Sequence, residues 1–165
     1  MDTGQFWQLI HDARGQVADP TDPEAVAAGA GGPLAGQSPE RIVAAQQVLW
    51  DLMAASYRAP LWAAAHLING GCSGDGFDYV RGWLITQGRE VLGRAVRPCG
   101  VRRHRPGPGV RGDLAIVWDA HLTATGEELP GDVFTISYPD LDPAWRFDFG
   151  DPAEMARRLP ALSAL

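Results

Sequence analysis

The run INGGCSGDGFDYVRGWLI, Ile68 to Ile85, gathers residue types that could do chemistry: five glycines, Cys72, Ser73, Asp75, Asp78 and Arg81. A glycine-rich turn ahead of a helix can cradle phosphate. A P-loop, however, closes on Gly-Lys-Ser/Thr, and this chain contains no lysine. A dinucleotide loop needs a strand before it and a third glycine in register, and both are missing. A nucleophile elbow reads Gly-x-Ser-x-Gly, whereas the residue two after Ser73 is Asp75. A calcium loop of the EF-hand type alternates acidic ligands, and only Asp75 and Asp78 stand near.

A residue set remains. Asp78 and Arg81 are three apart on a helical pattern, the spacing of an ion pair, and Asp75 lies one turn earlier. Trp62, His66 and Asn69 share a face of the preceding helical segment. If the two helices fold back across the glycines, these groups meet. They would then form either a ligand pocket, with Arg81 gripping a carboxylate or phosphate, or an N-cap, an ion pair and a satisfied core histidine. The structural reading is preferred because each residue has an ordinary job. Gly82 costs about 1 kcal/mol inside a helix, which close packing on a neighbour would explain. Cys72 precedes a helix N-terminus, where a thiolate is favoured, with His66 the only near base. A small buried thiol is the simpler account. His11, His66, His104 and His121 include no i,i+4 pair, and Cys72 and Cys99 form no metal or redox spacing. No metal or cofactor is expected.

The elements that must position this set are helical. Thr3 starts a pattern with Phe6, Leu9, Ile10 and Ala13 on one face, ending near Gly15. Val17 to Gln37 reads as a flexible linker. Gly29, Gly31, Gly32 and Pro33 discourage a long helix there, leaving at most a short turn around 23–28. Ser38 and Pro39 open a strong helix with a seam of Ile42, Ala45, Gln46, Leu49, Met53 and Ser56. PLWAAAHLING follows, apolar nearly all round and therefore central, and glycines end it. Asp75 is placed to cap the next helix, whose inner face carries Phe77, Val80, Leu84 and Gln87. Gly88 stops or kinks it before REVLGRAV. Residues 97–112 read as a mobile, basic Gly/Pro/Arg loop. Asp113 would cap a further helix with Leu114, Val117, Trp118, His121 and Leu122 inward. VFTISY, Val133 to Tyr138, suits a short extended segment, and Asp151 and Pro152 open a last short helix through Leu159. The expectation is an all-α, single-domain bundle of five to six helices.

The 165 residues carry a net charge of −6, which argues against bulk electrostatic binding to nucleic acid or an anionic membrane. Charge is uneven. Seven arginines and one acid lie between Arg89 and Arg111, against ten acids and three arginines from Gly112 onward. A contact to nucleic acid through Arg102, Arg103, Arg105 and Arg111 is a minor alternative, since the loop has no aromatic residue to stack bases. Trp7 and Trp145 are the candidates for an exposed interface. No leader and no membrane span is expected, and the low cysteine count fits the cytoplasm.

FWQLI near the start, LWAAAHLINGGCSGDGFDYVRGWLITQGREV in the middle, and TGEELP and FDFGDPAEMARRLPALSAL later resemble a bacterial, chiefly actinobacterial, family. It is the domain-of-unknown-function family numbered 4240. The resemblance covers most of the chain outside Val17–Gln37 and the Arg-rich loop, and its signature falls between Gly70 and Gly88. It implies a small cytoplasmic helical domain and carries no catalytic roles. The reading is a non-catalytic module binding a small molecule or protein in a groove beside the Gly70–Gly76 joint. Candidate contacts are Trp62, His66, Asn69, Cys72, Asp75, Asp78 and Arg81. The alternative is a small hydrolase or transferase at the same groove.

Overall fold

The computed structural model describes residues 1–97 and 115–163. Every regular element among them is helical: α1 (Thr3–Gln16), α2 (Pro23–Ala35), α3 (Pro39–Ser56), α4 (Ala59–Asn69), α5 (Gly74–Thr86), α6 (Arg89–Ala95), α7 (Ile116–Thr125), α8 (Pro152–Arg158) and α9 (Pro160–Ser163). A 3-10 turn, Pro143–Trp145, precedes α8. The fold is all-α, with more helices than the five to six expected. None of the described helices is long and apolar enough to cross a membrane. The Arg-rich segment, with Cys99, His104, Asp113 and Leu114, lies outside the described residues.

The largest correction is at 17–37. The expected linker is a 13-residue helix, α2, packed against α1 and α7. Its start follows the rules. Asp22 accepts hydrogen bonds from the Glu24 and Ala25 amides, and Pro23 sits at the first helical position. Val26, Ala27, Ala30 and Leu34 are buried. Each glycine costs about 1 kcal/mol against alanine, but burying Val26 or Leu34 returns roughly 1.5–3 kcal/mol each. At Gly29 α1 lies directly alongside: an added Cβ would stand in ordinary contact, 3.5 Å from Ala13 Cβ and Val17 Cγ1. Pro33 is tolerated in the last turn, and Gly32 before it has no Cβ to meet the proline ring. Gly31 has no such role, since nothing lies within 4 Å of a Cβ placed there. Gly31→Ala should therefore raise unfolding free energy by about 0.5–1 kcal/mol, read as a higher urea midpoint at unchanged m.

The other elements follow the sequence closely, except that α4, expected to be central, is covered on one side only: Leu61, Ala63, Ala64 and Ala65 are buried, while Trp62, His66, Leu67 and Ile68 stay partly exposed. Asp2 and Gln5 form a reciprocal capping box at α1. The α3 seam is buried as read from its periodicity, with Val48 added. Gly88, at φ 95°, separates α5 from α6. Arg14 at the end of α1 donates to Thr86 O at 2.9 Å, and Gln87 Nε2 donates to Thr21 O at 3.2 Å. These bonds tie the carbonyl end of α5 to the α1–α2 connection, where a cation also complements the helix dipole. Three further expectations are corrected. Trp7 is buried. The cap of α5 is Ser73, whose Oγ accepts from Gly76 N at 3.1 Å, and Asp75 sits exposed in the first turn. On α7, Trp118 and Leu122 are 40% and 44% exposed, because Ile116, Val117, Ala120 and His121 form the inner face.

From Leu129 to Gly150 the chain runs without α-helix across α3 and α4. VFTISY joins no strand among the described residues. Gln47 on α3 holds it instead, with its amide donating to Thr135 O and accepting from Thr135 N, both at 3.0 Å. The side chain thus takes the place of a neighbouring strand. Farther along, Tyr138 stacks on Tyr57 at 4.5 Å between centroids.

Candidate functional site

The glycine-rich run is first of all a joint. Gly70 takes the left-handed conformation, φ 67°, that ends α4, and the Gly71 amide donates back to His66 O at 2.9 Å. Trp62 Nε1 donates to Cys72 O at 3.2 Å, so the indole pins the turn that leads into α5. Its ring lies flat on Phe77, at 4.9 Å and 13°.

Arg81 is the deepest charge in the molecule's described part, at 0% exposure. Its Nη1 donates to Met53 O at 2.5 Å. That carbonyl belongs to the last turn of α3, where the Tyr57 amide has already turned back to Ala54 O. Beside Ser56 Oγ at 3.1 Å, the guanidinium therefore supplies a second side-chain donor to this helix-end carbonyl, at the negative end of the dipole. Nη2 pairs with Asp78 and reaches Tyr138 Oη at 3.4 Å. The rings of Tyr57, Phe77 and Tyr138 surround its Cζ at 5.1, 4.8 and 4.9 Å. Asp78 is 41% exposed at its side chain and keeps contact with water. This arrangement is a brace: it locks α3, α5 and the Tyr138 segment together and leaves Arg81 no accessible face.

A groove opens beside the brace, between α4 and the chain from Tyr138 to Phe149, with a volume of about 680 Å³. Trp62, His66 and Cys72 line it from the expected set. Asn69 and Asp75 are exposed away from it, and Asp78 and Arg81 stand behind its rings. The far wall carries Trp145, Phe147 and Phe149. Their rings follow one another at 6.0 and 5.3 Å, and Phe149 meets His66 edge-on at 5.9 Å. Arg158 backs this wall, 4.7 Å over Phe147 and 3.0 Å from Glu154. Hydrogen bonds from Arg157 and Arg158 hold Glu154 below the usual carboxylate range.

Cys72 is half-buried, with its thiol 3.6 Å from Ser73 O. Burial pushes the thiol up from its ordinary value, the opposite of nucleophile activation. The folded state thus favours the neutral thiol. That stabilisation is full below the unfolded pKa, about 8.5, and is lost as pH rises through the higher folded value. Melting temperature should fall between pH 7.5 and 9.5 by more in the wild type than in Cys72→Ala. In a Cys99→Ser background, iodoacetamide should label Cys72 more slowly than free N-acetylcysteine at pH 7.5. Faster labelling would restore the hydrolase or transferase reading.

Residues 1–99 match the family model described as Protein of unknown function (DUF4240). The chain belongs to the DUF4240 family. The match takes in α1 to α6, and so the joint, the Arg81 brace and the α4 wall of the groove. The second wall, with TGEELP and the FDFGDPAEMARRLPALSAL run, lies beyond the matched residues. No curated protein and no solved structure matches the chain. The DUF4240 span thus supplies one side of the groove, and the C-terminal third of this chain supplies the other.

Sequence reasoning named Trp145 as an interface candidate but missed Phe147 and Phe149, which continue the aromatic wall. Its signal is WRFDF, Trp145 to Phe149, where rings alternate with charges. An alternation of period two puts successive rings on one side of an extended chain.

Proposed function

We propose that the protein is a non-catalytic binding module whose ligand lies in the groove between α4 and the 138–149 segment. The observation that carries this reading is the aromatic lining of an open cleft of about 680 Å³. Binding pockets are roughly 300–1,000 Å³ and are lined mainly by apolar and aromatic groups with a few polar ones. The buried brace supports it further. Arg81 fixes Tyr57 and Tyr138, which line the cleft, and Phe77, on which Trp62 lies, so this end of the cleft is preorganised before any ligand arrives. The neutral thiol of Cys72 favours binding over chemistry.

A fragment screen by amide NMR tests the reading. Binders should shift Trp62, His66, Cys72 and the 140–149 amides together and raise the melting temperature without being converted. Phe149→Ala, which opens the far wall, should abolish those shifts. Shifts that map elsewhere, or that survive in Phe149→Ala, would overturn the reading.

A further inference from the structure

Resting on that groove reading, we infer that the groove accepts a guanidinium: an arginine side chain presented by a partner polypeptide. The first observation is charge. Asp140, Asp142 and Asp148 line the cleft together with the aromatic rings, against Arg146 and His66 as its basic groups. Asp142 and Asp148 are oriented by the backbone. Asp142 Oδ1 accepts from Ala144 N at 2.9 Å and Asp148 Oδ1 from Gly150 N at 2.8 Å. Their Oδ2 atoms, and both oxygens of Asp140, take no hydrogen bond or ion pair from the described residues. The cleft therefore combines ring faces with carboxylate oxygens that still have acceptor capacity.

The second observation is that this fold already solves the same recognition problem twice. Arg81 lies among Tyr57, Phe77 and Tyr138 and pairs with Asp78. Arg158 lies over Trp145 and Phe147 and pairs with Glu154. In each, a flat, delocalised cation has rings within 4.7–5.1 Å of its Cζ and a carboxylate paired with its N–H groups. Guanidinium suits this better than ammonium because it stacks, is weakly hydrated and presents paired N–H donors. The groove brings the same residue types together again: the rings of Trp62 and Phe149 and the open carboxylate of Asp140 all line it. A polypeptide can supply such a group on a long stem, reaching the rings while its backbone stays at the open mouth. Asp140, Asp142 and Asp148, gathered at the groove, would draw a basic segment toward this face.

The test is an amide-NMR titration of the full chain with acetyl-Gly-Arg-Gly-amide and with its citrulline analogue, which has the same shape and no charge. The arginine peptide should shift the groove amides. The citrulline peptide should bind about tenfold more weakly or worse, the loss expected when a charge-assisted hydrogen bond becomes neutral. Asp140→Asn/Asp142→Asn/Asp148→Asn should weaken the arginine peptide to a similar degree. Asparagine keeps the acceptor that bonds the Ala144 and Gly150 amides, so the wall should hold its shape. Removing the same charge elsewhere, in Asp12→Asn/Glu24→Gln/Asp132→Asn, should leave binding within about twofold, because screening confines rim charges to short range. Equal binding of the two peptides would overturn the guanidinium and leave the groove reading standing. Equal weakening by the two triple variants would reduce the effect to bulk charge and overturn the site. Silence with both peptides would also overturn the guanidinium, and the groove itself would then be judged by the fragment screen and Phe149→Ala.

Discussion

Arg81→Ala is expected to lower the unfolding free energy by about 3–5 kcal/mol, the range for removing one member of a buried charged network or emptying a large core site. The magnitude follows from what is left behind. The side chain is fully buried, so its removal leaves a cavity among Tyr57, Phe77 and Tyr138. Met53 O at the end of α3 loses its guanidinium donor and keeps only Ser56 Oγ, at 3.1 Å. Asp78 adds little to the loss, because its carboxylate is 41% exposed and water can take over. Asp78→Ala should cost more than an exposed ion pair does, about 1–3 kcal/mol, because it leaves the fully buried Arg81 without its carboxylate. Urea denaturation of the two single variants and the double variant would separate the ion pair from the rest. A coupling much smaller than the Arg81→Ala loss is expected, since most of that loss belongs to the α3 carbonyl and the rings. A neutral or stabilising Arg81→Ala would mean the charge is held at a cost for function, and the brace would have to be reread as a binding group.

The brace also shows what the sequence could and could not disclose. The pairing of Asp78 with Arg81 was legible from a spacing of three on a helix. The burial was not, because it depends on two partners distant in sequence: Met53, 28 residues earlier, and Tyr138, 57 residues later. The same divide runs through the groove. Trp62, His66 and Cys72 were legible, since helix periodicity and the glycine stop fix where they stand relative to the joint. Asn69 shares their helical face but is the last residue of α4, past the end of the cleft. The opposite wall is irregular chain, held by Gln47 and by ring contacts, and no periodic signal reports on such a segment. Misreading α7 had a different cause. The stripe Leu114, Val117, Trp118, His121 and Leu122 is a valid helical face, but packing buries the face one residue earlier, Ile116, Val117, Ala120 and His121, and leaves Trp118 and Leu122 outside.

Leu34→Ala is the second large effect, and it bears on the segment that composition misrepresents. Three glycines and a proline within five residues weigh heavily against a helix on propensity alone. Val26, Ala30 and Leu34, spaced by four, form a stripe on one face, and α1 and α7 cover it. A linker would lose almost nothing on truncation of a leucine. A core helix should lose about 2–5 kcal/mol, depending on how far the neighbours collapse into the space. Leu34 is 0% exposed, which favours the upper half of that range. Measured beside Gly31→Ala, the pair is decisive in sign. If α2 is held by its buried stripe and weakened by its glycines, Leu34→Ala destabilises strongly while Gly31→Ala stabilises slightly. If 17–37 were a flexible connection, both would sit near zero, and the α1–α2–α7 packing would need another source. The opposite signs also explain how a glycine-rich helix persists. Tertiary burial supplies more than the local sequence withholds: α1 lies directly against Gly29, and Gly32 stands before Pro33, where a Cβ disfavours the helical conformation.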